Sequence, residues 1–506
     1  MSLSASEQYL LELINRARLD PEAEAKRYGV DLNDGLSSGQ IGTDSLQVLA
    51  PNAKLAAAAE SHSEWMLSSN AFSHTGAASS NAGDRAQSAG YTFNGAWAWR
   101  ENLAWVGSTG DVNLEKAILE HHEGLYRSES HRVNIFDANV REIGVAQIAG
   151  NFTHQGTTYN SSMLTEVFAK SGTDVFVTGV AYRDTDRDNF YSIGEGQSGI
   201  RVWTGVTDAT TTSAGGYSVS VSSQDVVSLT VSDGDSVLGH LRVNTSDGNV
   251  KLDVVTDSYG NLSYDLSGSA TLEDGILEGR LLGLDDLSLS GERGRNLLYG
   301  NDGNNTMDGG RGHDRLWGQA GDDILSGARG RDKLRGGQGE DILSGNSGRD
   351  ELYGNRGDDE LFGGDGKDEL SGNGGDDMLY GGKGYDVLRG GGGSDELYGG
   401  NLDDRLFGGS GNDRIDGGSG NDVMKGGGGA DTFVFGTGED RIKDFADDTD
   451  TIAINADLAR GMNVSDVLGD ARVVNGDAVL DFGGGHMLIV EDVSNLDILA
   501  NDLIII

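Results

Sequence analysis

The 506-residue sequence has no cysteine and only two prolines, Pro21 and Pro51. The missing cysteines exclude disulfides and thiolate metal sites. They do not place the chain in a reducing compartment, because calcium can stabilise secreted domains in place of disulfides. Bases are scarce: 38 Lys and Arg face 81 Asp and Glu, for a formal net charge of −43. Such a chain cannot neutralise phosphates, which argues against a nucleic-acid partner and against an anionic membrane surface. It either repels itself or collects cations. No apolar run approaches the roughly 20 residues that span a bilayer, so no transmembrane segment is expected. The start, "MSLSASEQYLLELINRAR", lacks the cationic start and apolar core of a cleavable signal peptide and reads as a helix.

What is abundant is glycine, 81 residues of it, unevenly spread. Residues 1–172 are expected to form one mixed α/β domain. Tyr9, Leu10, Leu13, Ile14 and Ala17 recur at helical spacing, and that helix should end near Pro21. "NAKLAAAAESHSEWMLSS" is a second helical pattern; "EIGVAQIAG" and "SSMLTEVFAK" read as strands. Over 173–255, "DVFVTGVAY", "SGIRVWTG", "GGYSVSVSS" and "VVSLTVSDG" are short β-rich runs between polar turns. A small Ig-like β-sandwich fits them. Residues 256–288 form a polar bridge that can add a first strand to the glycine-rich region beyond it.

From residue 289 to 432 the sequence divides into sixteen uninterrupted units of nine, such as LFGGDGKDE, LSGNGGDDM and LYGGKGYDV. Each unit opens on an aliphatic residue or Met and has Gly third. Gly also holds the sixth position, with Leu402 an exception. The eighth is Asn296 and Asn305 in the first two units. It is then aspartate fourteen times: Asp314, Asp323, Asp332, Asp341, Asp350, Asp359, Asp368, Asp377, Asp386, Asp395, Asp404, Asp413, Asp422 and Asp431. Glycine permits the positive-φ turns, and one inward aliphatic per unit makes a very short strand. Two units per lap then stack equivalent aspartates in columns. Stacked carboxylates repel, and so thin a core cannot offset the ordering entropy of the chain. A hard divalent cation with six to eight oxygen ligands answers both problems, which makes metal binding part of the folding free energy.

This frame resembles the RTX nonapeptide, GGxGxDxUx. Eight units carry the full GGxGxD, beginning at Gly309, Gly336, Gly363, Gly381, Gly390, Gly408, Gly417 and Gly426. The resemblance implies a parallel β-roll with several Ca2+ ions, the aspartate of one unit facing that of the unit two further on, and a chain unfolded without calcium. Residues 433–506, with "ADTFVFGTGEDRIKDFADDTDTIAIN" and the closing acid-then-aliphatic "NDLIII", resemble the segment that comes after such arrays in type I secretion substrates. That implies a C-terminal β-cap carrying an export signal, a type I exporter as partner and an extracellular location.

A second calcium candidate is "DTDRDNFYSIGE". Asp184, Asp186, Asp188 and Glu195 fall at loop positions 1, 3, 5 and 12, with Phe190 offering its carbonyl. Asn189 stands where an EF-hand has glycine, and the flanks read as strands. With "TTTSAGGYSVSV" downstream it resembles the calcium-binding Ig-like repeats of bacterial surface adhesins.

In the first 172 residues spacing alone points to no site. "LLELINRARLDP", "AFSHTG", "GDRAQSAGY", "WRENLAW" and "SHRVNIFDANVREIGVAQ", in that order, resemble a bacterial CAP/SCP domain. The resemblance implies an α-β-α sandwich whose cleft holds two histidines and two acids. His74, Glu101 and His131 match three of these, and Glu129 or Glu123 the fourth. "SESHR" departs from the usual "SPGHR". Imidazoles flanked by carboxylates can bind Zn2+ or serve as general acid and base. No Ser or Cys nucleophile is signalled, so a hydrolase here would use an activated water. The readings left open are a binding module for an extracellular lipid, peptide or surface ligand, a metal-assisted hydrolase, and an adhesion or matrix component.

Overall fold

The computed structural model describes residues 3–221, 226–273 and 275–506. The last two residues of "GGYSVSVSS" lie outside these ranges. Two compact units divide the chain, Met1–Asp285 and Asp286–Ile506.

The first unit opens with α1 (Ala5–Leu19), held at its start by a reciprocal Ser4–Glu7 capping box. Asp20 ends it and caps α2 (Pro21–Tyr28), with Pro21 in the first turn. Four strands form the central sheet: β1 (Ala50–Pro51), β2 (Trp97–Ser108), β3 (Glu142–His154) and β4 (Thr157–Ser171), in spatial order β1-β3-β4-β2. One face packs Ile143, Val145, Leu164 and Phe168 against Leu10 and Ile14 of α1. Ile118 and Leu125 of α5 (Leu114–Arg127) and Ile135 of α6 (Glu129–Ile135) join that layer. The other face packs Ala146, Val167 and Ala169 against Leu55, Ala58 and Ala59 of α3 (Ala53–Ser69) and Ala86 of α4 (Ala82–Ser88). At Gly144 a Cβ would lie 2.0 Å from the Leu55 backbone, so α3 reaches the sheet because glycine stands there. This is the expected α-β-α sandwich.

The same unit continues with a β-sandwich. One sheet holds β5 (Val175–Arg183), antiparallel to β8 (Gly216–Val221) and parallel to β11 (Val250–Thr256). The other holds β6 (Ile200–Trp203), β7 (Asp208–Thr210), β9 (Val226–Asp233), β10 (Ser236–Asn244) and β13 (Ala270–Leu272). Alternation decides the burial: Val227, Leu229 and Val231 face in, while Val226 and Ser228 face out. The polar segment 256–288 is not bare chain. It supplies β12 (Leu262–Leu266), antiparallel to β11, and β14 (Glu278–Leu281), parallel to β12. Asn249 Nδ2 ties the sandwich to the head by donating to the Val48 carbonyl at 3.0 Å and the Arg141 carbonyl at 2.7 Å.

The second unit is a parallel β-solenoid. Strands pair at a constant offset of 18 residues, so Leu361 pairs with Leu379 and then Leu397 on one side. Leu352 pairs with Leu370 and then Leu388 on the other. The first residue of every unit is buried, from Leu289 to Met424. The C-terminal segment closes the end. Glu439–Ile442 pairs with His486–Val490, and Thr451–Ile454 pairs with Leu503–Ile505. The terminal aliphatics thus serve as a capping strand, with Leu503 buried.

Candidate metal centres and the N-terminal cleft

In the solenoid the eighth residue of each unit ends a turn just before a strand, and none of the fourteen aspartates there is more than 2% exposed. Each uses Oδ1 to accept the backbone N–H of the residue 18 positions earlier, at 2.7–3.0 Å. Asp368 N–H therefore donates to Asp386, while Asp377 belongs to the opposite column, donating to Asp395. Asn296 and Asn305 open the two columns by donating to Asp314 and Asp323.

The second oxygen is the informative one. From Asp314 to Asp422 every Oδ2 is buried without a hydrogen-bond partner. Burying an acceptor unpaired is costly, and burying a charge unpaired costs more. These oxygens face the third-position glycines. A Cβ on Gly363 would come within 2.6 Å of the Gly381 carbonyl oxygen and 2.9 Å of Asp368 Oδ2. The space that glycine keeps open is thus lined by carboxylate and carbonyl oxygens, the donor set calcium prefers. Burial pushes the carboxyls up, and the carboxylates 18 residues away add to it: Asp350 and Asp377 to about 7, Asp359 and Asp404 to about 8. A cation in that space would hold them ionised. The residues present fit Ca2+.

The columns run further than sequence reading took them. Asp440 is buried, accepts the Asp422 N–H at 3.0 Å, and has an Oδ2 without a partner. Phe433, Gly438 and Asp440 keep the first, sixth and eighth places of the frame, but Phe435 stands where the third glycine belongs and hid the unit. Asp450 then accepts the Asp431 N–H at 3.0 Å, one residue out of step. Leu402 sits at φ 73° where its neighbours Gly393 and Gly411 hold 138° and 125°. The turn there is formed, in a strained region for a side chain with a Cβ.

In the loop after β5, Asp184, Asp186 and Asp188 bring carboxylate oxygens within 4.8 Å of one another, the one such triple among the described residues. Asp184 Oδ1 accepts the Arg187 N–H and Asp188 Oδ1 the Phe190 N–H, at 2.7 and 2.8 Å. Burial raises the Asp188 carboxyl, and Asp186 and Asp184 add to it. Glu195 instead receives Thr185 N–H and Oγ1–H at 2.7 and 2.6 Å and Ser192 N–H at 3.0 Å. It braces the loop from inside. The Phe190 ring lies against Tyr9, with Arg16 4.6 Å from its centroid.

The head carries a cleft of about 770 Å3 lined by His74, Trp97, Trp99, Glu101 and Asn134 among others. His74 Nδ1 donates to Glu101 Oε2 at 2.8 Å, which leaves Nε2 for a ligand or proton. Glu101 Oε1 takes an ion pair from the buried Arg85. Burial, and then the nearby His74, lower the His131 imidazole from its ordinary value. Asn134 Nδ2 bridges the Glu101 carbonyl at 3.2 Å and Asn102 Oδ1 at 2.8 Å, and Asn102 Nδ2 reaches the His131 carbonyl at 3.3 Å. Glu129 sits exposed beside Gly35, and Glu123 pairs with Arg127 at 2.8 Å. His74, Glu101 and His131 do not converge as tightly as the aspartate triple does. Arg85 and Asn134, which orient Glu101, escaped sequence reading because neither is a metal ligand or an acid–base group.

Residues 11–153 match the cysteine-rich secretory protein family model, CAP. Seven segments between residues 288 and 442 match the RTX calcium-binding nonapeptide repeat. No curated protein matches the chain. Among solved structures, the extracellular lipase LipA from Serratia marcescens is similar at 19% identity and a TM-score of 0.16, over 46% of this chain and 45% of the lipase. The chain thus spans less than half of the lipase's length. With the sandwich, the roll and both family matches in hand, the chain is a modular protein that joins a CAP domain to an array of RTX calcium-binding repeats.

Proposed function

We propose that this is an extracellular protein whose β-roll folds on calcium and presents the CAP head to a lipid, peptide or surface ligand. The observation that carries the calcium part is the two columns of buried aspartates, which from Asp314 to Asp422 have one oxygen hydrogen-bonded and one left over. Low cytosolic calcium would leave the array unfolded for passage through a type I exporter, with folding outside, where extracellular sites of about 10⁻⁴–10⁻³ M affinity fill. Removal of residues 433–506 should then abolish export from cells carrying such an exporter; undiminished export would rule this route out. Asp184, Asp186 and Asp188, with the Phe190 carbonyl, are a further calcium site on this reading.

For the head, a ligand-binding cleft is the first reading, since its opening carries two tryptophans and one exposed imidazole. A hydrolase is the second, favoured by the His74–Glu101 hydrogen bond. That pairing leaves Nε2 of a correctly oriented imidazole to act on a water. Were Zn2+ bound in the head, His74 and His131 are the residues that would hold it, and it would supply an activated water. The discriminating experiment is hydrolysis of lipid and peptide substrates by the calcium-loaded chain, compared with His74→Ala and His131→Ala. Equal turnover in all three eliminates the hydrolase, and binding lost in the variants without turnover supports the module.

A further inference from the structure

Between α1 and the sandwich lies a cavity of about 140 Å3 that shares no residue with the His74–Glu101 cleft. Its cations are already committed. Lys251 Nζ pairs with Glu12 Oε2 at 2.8 Å and with Asp253 Oδ2, and Arg16 forks onto Glu24 at 2.8 and 2.9 Å. Glu12 Oε1 also receives Gln8 Nε2 at 2.7 Å, and Asp253 Oδ1 receives the Val180 N–H at 2.9 Å.

Asp265 is different. It lines the cavity, is 4% exposed, and its Oδ1 has no hydrogen-bond partner. Register places it directly opposite Asp253 on the neighbouring strand, a like-charge pairing that destabilises a sheet. Burial, and then the Asp253 charge, push its carboxyl up to about 7. The Tyr191 hydroxyl on the same wall is buried and also unpartnered. Tyr182, Phe190 and Tyr191 make that wall aromatic. A leftover carboxyl that shares a cavity with the Tyr182 and Tyr191 rings, and with Phe190 beside Arg16, is the chemistry that recognises an organic ammonium ion. A divalent metal fits poorly, because it needs several oxygen ligands while Glu12 and Asp253 are already held by Lys251.

We infer that this cavity is a binding site for a small organic ammonium ion, seated on Asp265 against Tyr182, Phe190 and Tyr191. Calorimetric titration of the calcium-loaded full chain with tetramethylammonium and ethylammonium chloride tests it, with sodium chloride at equal ionic strength as control. Saturable binding is expected, weakened at least about tenfold in Asp265→Asn and altered in Tyr191→Phe, which keeps the ring and removes the hydroxyl. Circular dichroism checks that each variant is folded. Should Asp265→Asn fail to fold, Tyr191→Phe and the wild type still decide. No saturable heat, equal binding in wild type and variants, or a response to sodium alone would overturn the inference. So would a crystal structure grown with tetramethylammonium that shows only water in the cavity.

Discussion

From Asp314 to Asp422 each position-eight aspartate holds the turn before it with one oxygen and leaves the other buried and unpaired, so protonation and calcium compete for one atom. Burial raises the folded, metal-free carboxyls above the ordinary 3.8, Asp386 to about 6, Asp377 to about 7 and Asp359 to about 8. A raised folded value contributes stability that is complete below about 4 and is lost as pH climbs through 6 to 8. In EDTA, β-structure in the roll should therefore grow as pH falls from 8 to 5; loss of β-structure over that range would reverse the assigned sign. Leu402 gives a second residue-scale outcome. Relief of its positive-φ strain, about 1–2 kcal/mol, is partly offset by the greater unfolded entropy of glycine, about 0.5–1 kcal/mol. Leu402→Gly should stabilise the calcium-loaded roll by up to about 1 kcal/mol in urea denaturation, and a destabilised variant would show that the leucine packs usefully. Residues were the most legible scale where the frame repeats: the aspartate columns follow from spacing alone. They were least legible at Arg85 and Asn134, whose roles come from contacts between distant strands and helices.

At the scale of elements, two units make one lap and strands stack at an 18-residue offset. Deleting residues 379–396 removes one whole lap and returns every later strand to its own sheet. Deleting 379–387 removes half a lap and presents the capping strands to the wrong sheets. The first variant should keep a calcium-dependent transition close to wild type. The second should need at least several-fold more calcium, or fail to fold, by circular dichroism, and identical midpoints would contradict the two-column geometry. In the loop after β5, Asp186→Asn should weaken the local calcium site by about tenfold or more while leaving the array's midpoint in place. Calorimetry of the 1–285 unit reads the loop site apart from the array. The loop's acids were legible in the sequence. Position twelve places Glu195 among the expected ligands, and its hydrogen bonds from Thr185 and Ser192 depend on how the turn closes, which spacing does not encode. Phe435 hid the seventeenth unit for a similar reason: the frame tolerates a lost glycine where the turn meets the cap.

For the whole molecule, the CAP head has a conventional core of helices on a sheet, whereas the roll has one buried aliphatic per nine residues and a column of carboxylates. The two should respond differently to calcium removal. Fold class was readable throughout because periodicity changes along the chain, from helical to alternating to strictly ninefold. The ligand of the head was not, because a cleft with one imidazole on a carboxylate beside two tryptophans suits several chemistries. The most direct measurement is a calcium titration of the full chain, from EDTA to 10⁻² M, by far-UV circular dichroism with hydrogen exchange read by peptide. The expected result is a cooperative gain of β-signal, with protection appearing across 289–442 while peptides from 5–171 stay protected throughout. A spectrum and exchange pattern of 289–442 unchanged between EDTA and millimolar calcium would contradict it.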